Sequence, residues 1–362
     1  MGVAVINQAR LISSFMDLIR IDSPSGGEGK TAEVVAARLR ALGLEPRTDA
    51  LFNVTTRVEG RGEPILLNAH MDSVAPCLGI QPIIEGDLIK SDGNTVLGAD
   101  DRAGVAAILE ALAVIIEQNL DHRSLEVVIT AREEAGLFGA KGLDLTSFRS
   151  KMGVVLDARG PVGTIIFQTP SHDNFEATIY GKAAHAGAEP EKGISAIVVA
   201  AEAIAEMRLG RIDSETTANI GIIKGGVAAN IVTEKCELIG EARSRRESKL
   251  TRQTNAMTRA LKRAATKHKA RVDVQVARAY SGFRFRKRDP IIQYVSQAIA
   301  RIGREPQLKA SGGGSDANVF NANGIACVPI SIGYEMVHTR QEHIAISELH
   351  KAAELVVQLT SC

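Results

Sequence analysis

The chain has 362 residues, 45% of them hydrophobic but only 4% aromatic with no Trp, and a formal net charge of +1. That length suggests two domains or one elaborated one, with a core built from Ala, Val, Ile and Leu. The near-zero charge gives no global pull toward nucleic acid, an anionic membrane or an acidic partner.

The four cysteines, Cys77, Cys236, Cys327 and Cys362, are far apart and form no Cys-x-x-Cys pair. They read as free thiols in a reducing compartment. Arg10 and Asp17 interrupt the early apolar positions, unlike a signal peptide, and no apolar stretch is long enough to span a bilayer. A soluble cytoplasmic protein is expected.

In chain order, residues 7–20 and 28–43 place apolar side chains at helical spacing, the second closed by Gly43. Ile65 to Ala69 is a strand candidate. Ala103 to Gln118 is a helix, with Asp100 or Asp101 well placed to cap its start. Leu125 to Thr130, Gly153 to Leu156 and Ala326 to Ile332 are further strands. Continuous apolar runs separated by helices indicate a mostly parallel, buried sheet.

The character changes near Pro170. Phe175 to Tyr180 alternates apolar and polar residues, a helix follows from about Ile194 to Leu209, and Ala218 to Ile223 and Lys235 to Ala242 alternate again. Glu247 to His268 is a long basic helix and Val272 to Ala279 a last strand. That β-α-β-β-α-β order suggests a ferredoxin-like module. With the helix Pro290 to Ile302 the large-sheet pattern resumes. The expected architecture is α/β: a discontinuous larger domain at 1–170 plus 282–362, interrupted by a smaller α+β domain at 171–281.

The chemistry sits at the joints of the larger domain. His70-Met-Asp72 ends the apolar run Pro64 to Ala69. Asp100 lies in Gly98-Ala-Asp-Asp-Arg-Ala-Gly104, Glu134 in Ala131-Arg-Glu-Glu-Ala-Gly136, Asp157 at the end of Gly153-Val-Val-Leu, and His338 in Met336-Val-His-Thr339. Each is read as lying just beyond the C-terminal end of an apolar strand, where open α/β sheets bind ligands. Two imidazoles and three carboxylates can hold two divalent metals about 3.5–4 Å apart, with a bridging water between them. Asp72 can accept the ring N–H of His70 and fix its tautomer.

Taken singly, each residue has an ordinary explanation. His70 and Asp72 could be a loop pair, Asp100 a helix cap, and Glu133-Glu134 a pair complementing a helix dipole. Capping does not explain two adjacent acids, which repel unless a cation is near. One of Glu133 and Glu134 can bind metal while the other moves a proton between water and a leaving amine; spacing leaves open which. Asp157 would need compensation if buried. His338 and His343 are chemically interchangeable at this stage.

Together, in order and over nearly the whole chain, these motifs resemble the co-catalytic di-zinc peptidase family, which includes peptidase T, carboxypeptidase G, aminoacylases and succinyl-diaminopimelate desuccinylase. Val96-Leu-Gly-Ala-Asp-Asp101, Glu133-Glu-Ala-Gly-Leu-Phe-Gly-Ala140 and Ser311-Gly-Gly-Gly-Ser-Asp-Ala-Asn318 are most similar to its peptidase T-like branch. The resemblance implies two Zn2+ per chain, with Mn2+ or Co2+ as alternatives. Asp100 would bridge them, followed by a cis bond to Asp101; His70 and Asp157 would complete one metal, Glu134 and His338 the other. It further implies Asp72 orienting His70 and Glu133 as general base.

In the smaller domain, the resemblance casts His185 of Gly181-Lys-Ala-Ala-His-Ala-Gly187 as a lid histidine that stabilises an oxyanion in the partner subunit's site. Arg243 would grip a substrate carboxylate, Asn230 would contact substrate, and Gly313 and Gly314 would offer backbone N–H groups to a substrate anion. The implied protein is a homodimer through the lid, hydrolysing short peptides as a tripeptidase-like aminopeptidase. An N-acyl-amino-acid amidohydrolase or a carboxypeptidase of the same family is the alternative. Basic residues between Arg259 and Arg288 raise nucleic-acid binding as a competing reading, but only Tyr280, Phe283 and Phe285 could stack bases, so neither nucleic acid nor membrane is an expected partner.

Overall fold

The computed structural model describes residues 5–361. Two compact units result: one takes the chain up to Phe167, Arg284–Ala310 and Ser315 onward, the other Gln168–Phe283 and Ser311–Gly314. Among the described residues no helix is long and apolar enough to cross a membrane. Cys77, Cys236 and Cys327 are buried free thiols; Cys362 lies outside the described residues.

The first unit is organised by an eight-stranded sheet in the order Arg47–Thr48, Val54–Val58, Arg123–Thr130, Arg61–His70, Met152–Ala158, Ala326–Ser331, Thr164–Gln168, Gln307–Ala310. Arg123–Thr130, Arg61–His70, Met152–Ala158 and Ala326–Ser331 are mutually parallel. Their apolar runs are fully enclosed, as parallel strands covered on both faces must be. The flanking Val54–Val58 and Thr164–Gln168 run antiparallel to their neighbours. The helix Ala99–Glu117 packs against strand Arg61–His70 and against helices Gln8–Ile19 and Ile346–Thr360. It is apolar almost all round and buried along nearly its whole length, the pattern of a core helix rather than a surface one.

A second, four-stranded antiparallel sheet was not legible in the sequence: Tyr334–Glu335, His343–Ala345, Leu88–Ser91 and Pro82–Glu85. Its strands are two to four residues long, too short to show a period. Pairing His343 with Lys90 brings the segment before His343 alongside the segment after Ser91. Those two segments contain His338 and Asp100.

The second unit is a five-stranded antiparallel sheet, Gly210–Asp213, Thr216–Gly225, Lys235–Ser244, Ser171–Tyr180, Arg271–Tyr280. Setting aside Gly210–Asp213, a short addition, the order is second, third, first, fourth in chain sequence, the ferredoxin-like arrangement. Ser171–Tyr180 buries alternate residues. Phe175, Ile179 and Leu238 from the sheet share a core with Val199 and Ala203 of helix Ala196–Glu206 and with Leu250, Met257 and Leu261 of helix Glu247–Lys267.

Candidate metal centre

His70 closes strand Arg61–His70, and Asp157 lies one residue before the end of the adjacent Met152–Ala158. Glu133 and Glu134 follow the other neighbour, Arg123–Thr130. These four residues come from the C-terminal ends of three adjacent parallel strands, the crevice position of open α/β sheets. Asp100 and His338 arrive differently, which corrects the expectation that every ligand candidate follows a strand of the large sheet. Asp100 opens the Ala99–Glu117 helix, and His338 lies between two strands of the four-stranded sheet.

His70 Nε2 is 3.2 Å from Asp100 Oδ1. His338 Nε2 is 2.9 Å from Glu134 Oε1 and 3.6 Å from Asp100 Oδ2. Ligand atoms of His70, Asp100 and Glu134 all lie within 4.8 Å of one another. Asp157 Oδ1 accepts the Tyr334 hydroxyl at 3.0 Å. His343 Nδ1 lies 2.8 Å from the Gln341 carbonyl instead, so the imidazole that meets the carboxylates is His338.

The second nitrogen of His70, Nδ1, lies 3.1 Å from the main-chain carbonyl of Asp72 and 3.4 Å from its Oδ1. The nearer acceptor is therefore backbone, not the carboxylate expected from the sequence. The carboxylate is engaged elsewhere: it accepts the Ser25 hydroxyl (2.6 Å) and the backbone N–H groups of Glu133 (2.9 Å) and Glu134 (3.2 Å). Burial opposes the charged form of Asp72, but His70, Ser25 and the Glu133 N–H together hold it below the usual carboxylate range.

Neither ordinary explanation for the paired acids survives. Asp100 and Asp101 have non-helical backbone angles, the bond between them is cis, and no side-chain cap bond forms at that helix start. Asp101 Oδ2 accepts the His70 N–H at 3.1 Å, while its buried Oδ1 has no hydrogen-bond partner among the described residues. Glu133 and Glu134 lie in a turn, not on a helix start; the next helix begins at Phe138.

The electrostatics of the cluster fit a cation. Burial and then the Asp100 charge push Asp157 up to about 8, with Glu134 adding to the effect. Burial and Asp157 raise Glu133 far above the usual range. Burial works against a charged His70, yet Asp100, Asp72 and Asp157 outweigh it and raise the imidazole. Glu134 raises His338 to about 9. The ion-pair partners of Asp100 and Glu134 are these imidazoles. Carboxylates and imidazoles crowded to this degree form an O/N donor set suited to divalent zinc, manganese or cobalt, and a 2+ charge removes the mutual repulsion.

Several residues around the centre escaped the sequence reading. Glu342, Tyr334 and Asp316 are buried. Thr130 donates its hydroxyl to Asp316 Oδ2 at 2.5 Å, and burial pushes Asp316 up to about 6. Arg102 is fully enclosed and donates to the carbonyls of Leu18, Ile19, Ile21 and Gly98 and to Ser73 Oγ. Its position at the head of the long apolar stretch Ala103 to Leu109 was the available signal.

The second unit gathers the remaining candidates in two places. His185 Nδ1 accepts the N–H groups of Gly187 and Ala188, both at 3.1 Å. With two donors aimed at Nδ1, the ring proton of the neutral imidazole must sit on Nε2. Ala186 donates to the Asn230 carbonyl at 2.9 Å, so His185 and Asn230 occupy paired segments. Elsewhere in this unit Arg243 Nη2 meets Glu241 Oε2 at 2.9 Å. A Cβ on Gly313 would lie 3.9 Å from Arg243 Nη1, and one on Gly314 would lie 2.4 Å from the Tyr280 ring. Gly314 thus runs where only a bare backbone fits, whereas Gly313 has room for a side chain.

The profile of peptidase family M20/M25/M40 matches residues 66–361. The crystal structure of aminopeptidase PepT from Bacillus cereus ATCC 10987 is 43% identical, covering 98% of each chain with a TM-score of 0.87. A tripeptidase structure from Staphylococcus aureus is 36% identical with a TM-score of 0.92, covering 99% of this chain and 98% of that one. Peptidase T of Escherichia fergusonii is 26% identical over 312 residues, 83% of this chain and 74% of that protein.

Proposed function

The chain belongs to peptidase family M20/M25/M40, on its peptidase T-like branch, and we propose that it is a metal-dependent tripeptidase-like aminopeptidase acting on short free peptides. The observation that carries the reading is the convergence of His70, Asp100 and Glu134 donor atoms within 4.8 Å, with Glu133 in the turn beside them. His70, Asp100, Glu134, Asp157 and His338 would hold a pair of divalent ions, with Zn2+ the expected metal. Such a pair supplies Lewis acidity and a nucleophile from water at neutral pH.

The chain's own residues do the rest. Asp72 holds the His70 ring in place and, through the N–H groups of Glu133 and Glu134, the turn that carries both acids. Glu133 takes a proton from the attacking water and returns it to the leaving amine. His185, reaching the partner protomer's site, donates its Nε2–H to the oxyanion. Arg243, with Gly313 and Gly314 beside it, receives a peptide carboxylate, and Asn230 contacts substrate next to His185. The exposed apolar residues Val198, Ile222 and Ile223 of the second unit support a homodimer formed there. The unpaired cysteines support a reducing, cytoplasmic location.

The test is release of free amino acid from an unmodified tripeptide by metal-stripped protein, with and without added zinc, manganese or cobalt. Metal-dependent release from the N-terminus, abolished by N-acetylating the peptide, is the expected result. Cleavage of the N-acetylated peptide alone would instead favour the amidohydrolase reading.

A further inference from the structure

Glu342 contributes nothing to the set of groups that face the metal positions, yet it is buried and fully engaged. Its Oε2 accepts the backbone N–H of Leu97 (2.9 Å) and Gly98 (2.7 Å), and its Oε1 that of Asp100 (2.9 Å). A carboxylate receiving three N–H groups from one turn grips it with charge-assisted bonds. Arg102 holds the opposite side of the same turn by donating to the Gly98 carbonyl.

The other end of this grip leads to His338, four residues before Glu342. Thr339 donates its hydroxyl to the Met336 carbonyl (2.6 Å), Gln341 its N–H to Thr339 Oγ1 (3.2 Å), and Glu342 its N–H to the Thr339 carbonyl (3.1 Å). Residues 336–342 are thus closed by their own hydrogen bonds, and a shift of Glu342 is passed to His338. His338 itself has a half-exposed side chain and a left-handed backbone (φ 61°), so it depends on this segment for its place.

We propose that Glu342 is a positioning residue that sets the separation of Asp100 from His338, by gripping Leu97, Gly98 and Asp100 from the segment that carries His338. The inference rests on the metal-peptidase reading above. Two donors of one centre come from two different connections, and Glu342 is the side chain that joins those connections.

Glutamine matches the shape of glutamate but offers one acceptor oxygen. Whichever way the amide turns, its NH2 faces either the Asp100 N–H or the N–H pair of Leu97 and Gly98, donor against donor. The grip is broken with little change of volume.

The experiment titrates the metal-stripped full chain with Co2+ and follows the visible absorption of the bound ion. It compares wild type, Glu342→Gln and Glu126→Gln. Glu126 is another buried carboxylate that accepts backbone N–H groups, those of Arg149 and Ser150, and serves as the control for loss of such a group. We expect wild type and Glu126→Gln to share one isotherm and one spectrum. Glu342→Gln should bind cobalt about 10–100-fold more weakly with displaced bands. Should Glu342→Gln not fold, Glu342→Asp, which keeps both oxygens on a shorter arm, takes the same titration with the same expected direction. A wild-type isotherm and spectrum in the folded variant overturns the proposal and leaves the metal reading intact. A wild-type chain that takes up no cobalt overturns both.

Discussion

The backbone N–H of Glu133 donates to Asp72 Oδ1 at 2.9 Å, so the residue whose main chain steers the His70 ring also seats the turn that carries Glu133. One buried residue therefore steers the His70 ring with its main-chain carbonyl and holds the Glu133 turn with its carboxylate. Its hydrogen bond to Glu133 uses the main chain, so changing the Glu133 side chain leaves that seat in place.

It follows that Glu133→Gln should keep the fold and its cobalt affinity while turnover of a tripeptide falls by about 10²–10⁴-fold, the usual contribution of a positioned general base. Steady-state kinetics beside a cobalt titration checks this. Undiminished kcat would remove Glu133 from the proton transfer.

His185→Ala should lower kcat by about 10²–10³-fold, the typical cost of deleting one oxyanion donor, with metal content and oligomeric state unchanged. Its Nδ1 is occupied by the N–H groups of Gly187 and Ala188, which leaves Nε2 as the nitrogen the proposed role would use. A wild-type rate would return His185 to the status of an ordinary loop residue.

Gly98 has φ +71°, and a Cβ there would lie 1.9 Å from Arg102 Nη2 and 2.8 Å from Ser73 Oγ. Gly98→Ala combines left-handed strain with a clash against an enclosed guanidinium. We expect a loss of roughly 2–4 kcal/mol, seen as a lower urea midpoint. A midpoint equal to wild type would show that the turn can move aside.

In the second unit His172, and then Arg243, hold the half-buried Glu241 carboxyl down at about 2 from an ordinary 4.5. A depressed carboxylate stabilises the fold above the unfolded value, and that contribution fades as pH falls toward the folded one. Glu241→Gln should therefore lower Tm most near neutrality, and the two Tm curves should converge between about pH 4.5 and 2. A constant difference across that range would show that the pair does not govern acid stability.

The parallel strands were legible because burial on both faces leaves an uninterrupted apolar run, as in Gly153 to Leu156. His70, Asp100 and Glu134 stood out as ligand-type residues following apolar stretches, the last two within pairs of adjacent acids, and the fold brings their donor atoms together. The second small sheet was hidden because its strands are shorter than any period. Glu342 was hidden for a related reason: a glutamate in a polar loop looks solvated until the strand pairing of His343 with Lys90 carries it under the Asp100 turn. The capping expected of Asp100 or Asp101 fails because that rule assumes a regular helix start, and both residues have non-helical backbone angles.

Arg102 takes three of its acceptors, the carbonyls of Leu18, Ile19 and Ile21, from the end of the first helix. The family match begins only at residue 66. A chain cut back to that point would keep His70, Asp100, Glu134 and His338 and still strand a guanidinium in the interior with three of its four carbonyls gone. It would also lose Ser25 from Asp72. The opening segment, outside the matched region, acts as the doorframe of the centre: it holds Arg102 and Asp72 in place, and without it nothing hangs true.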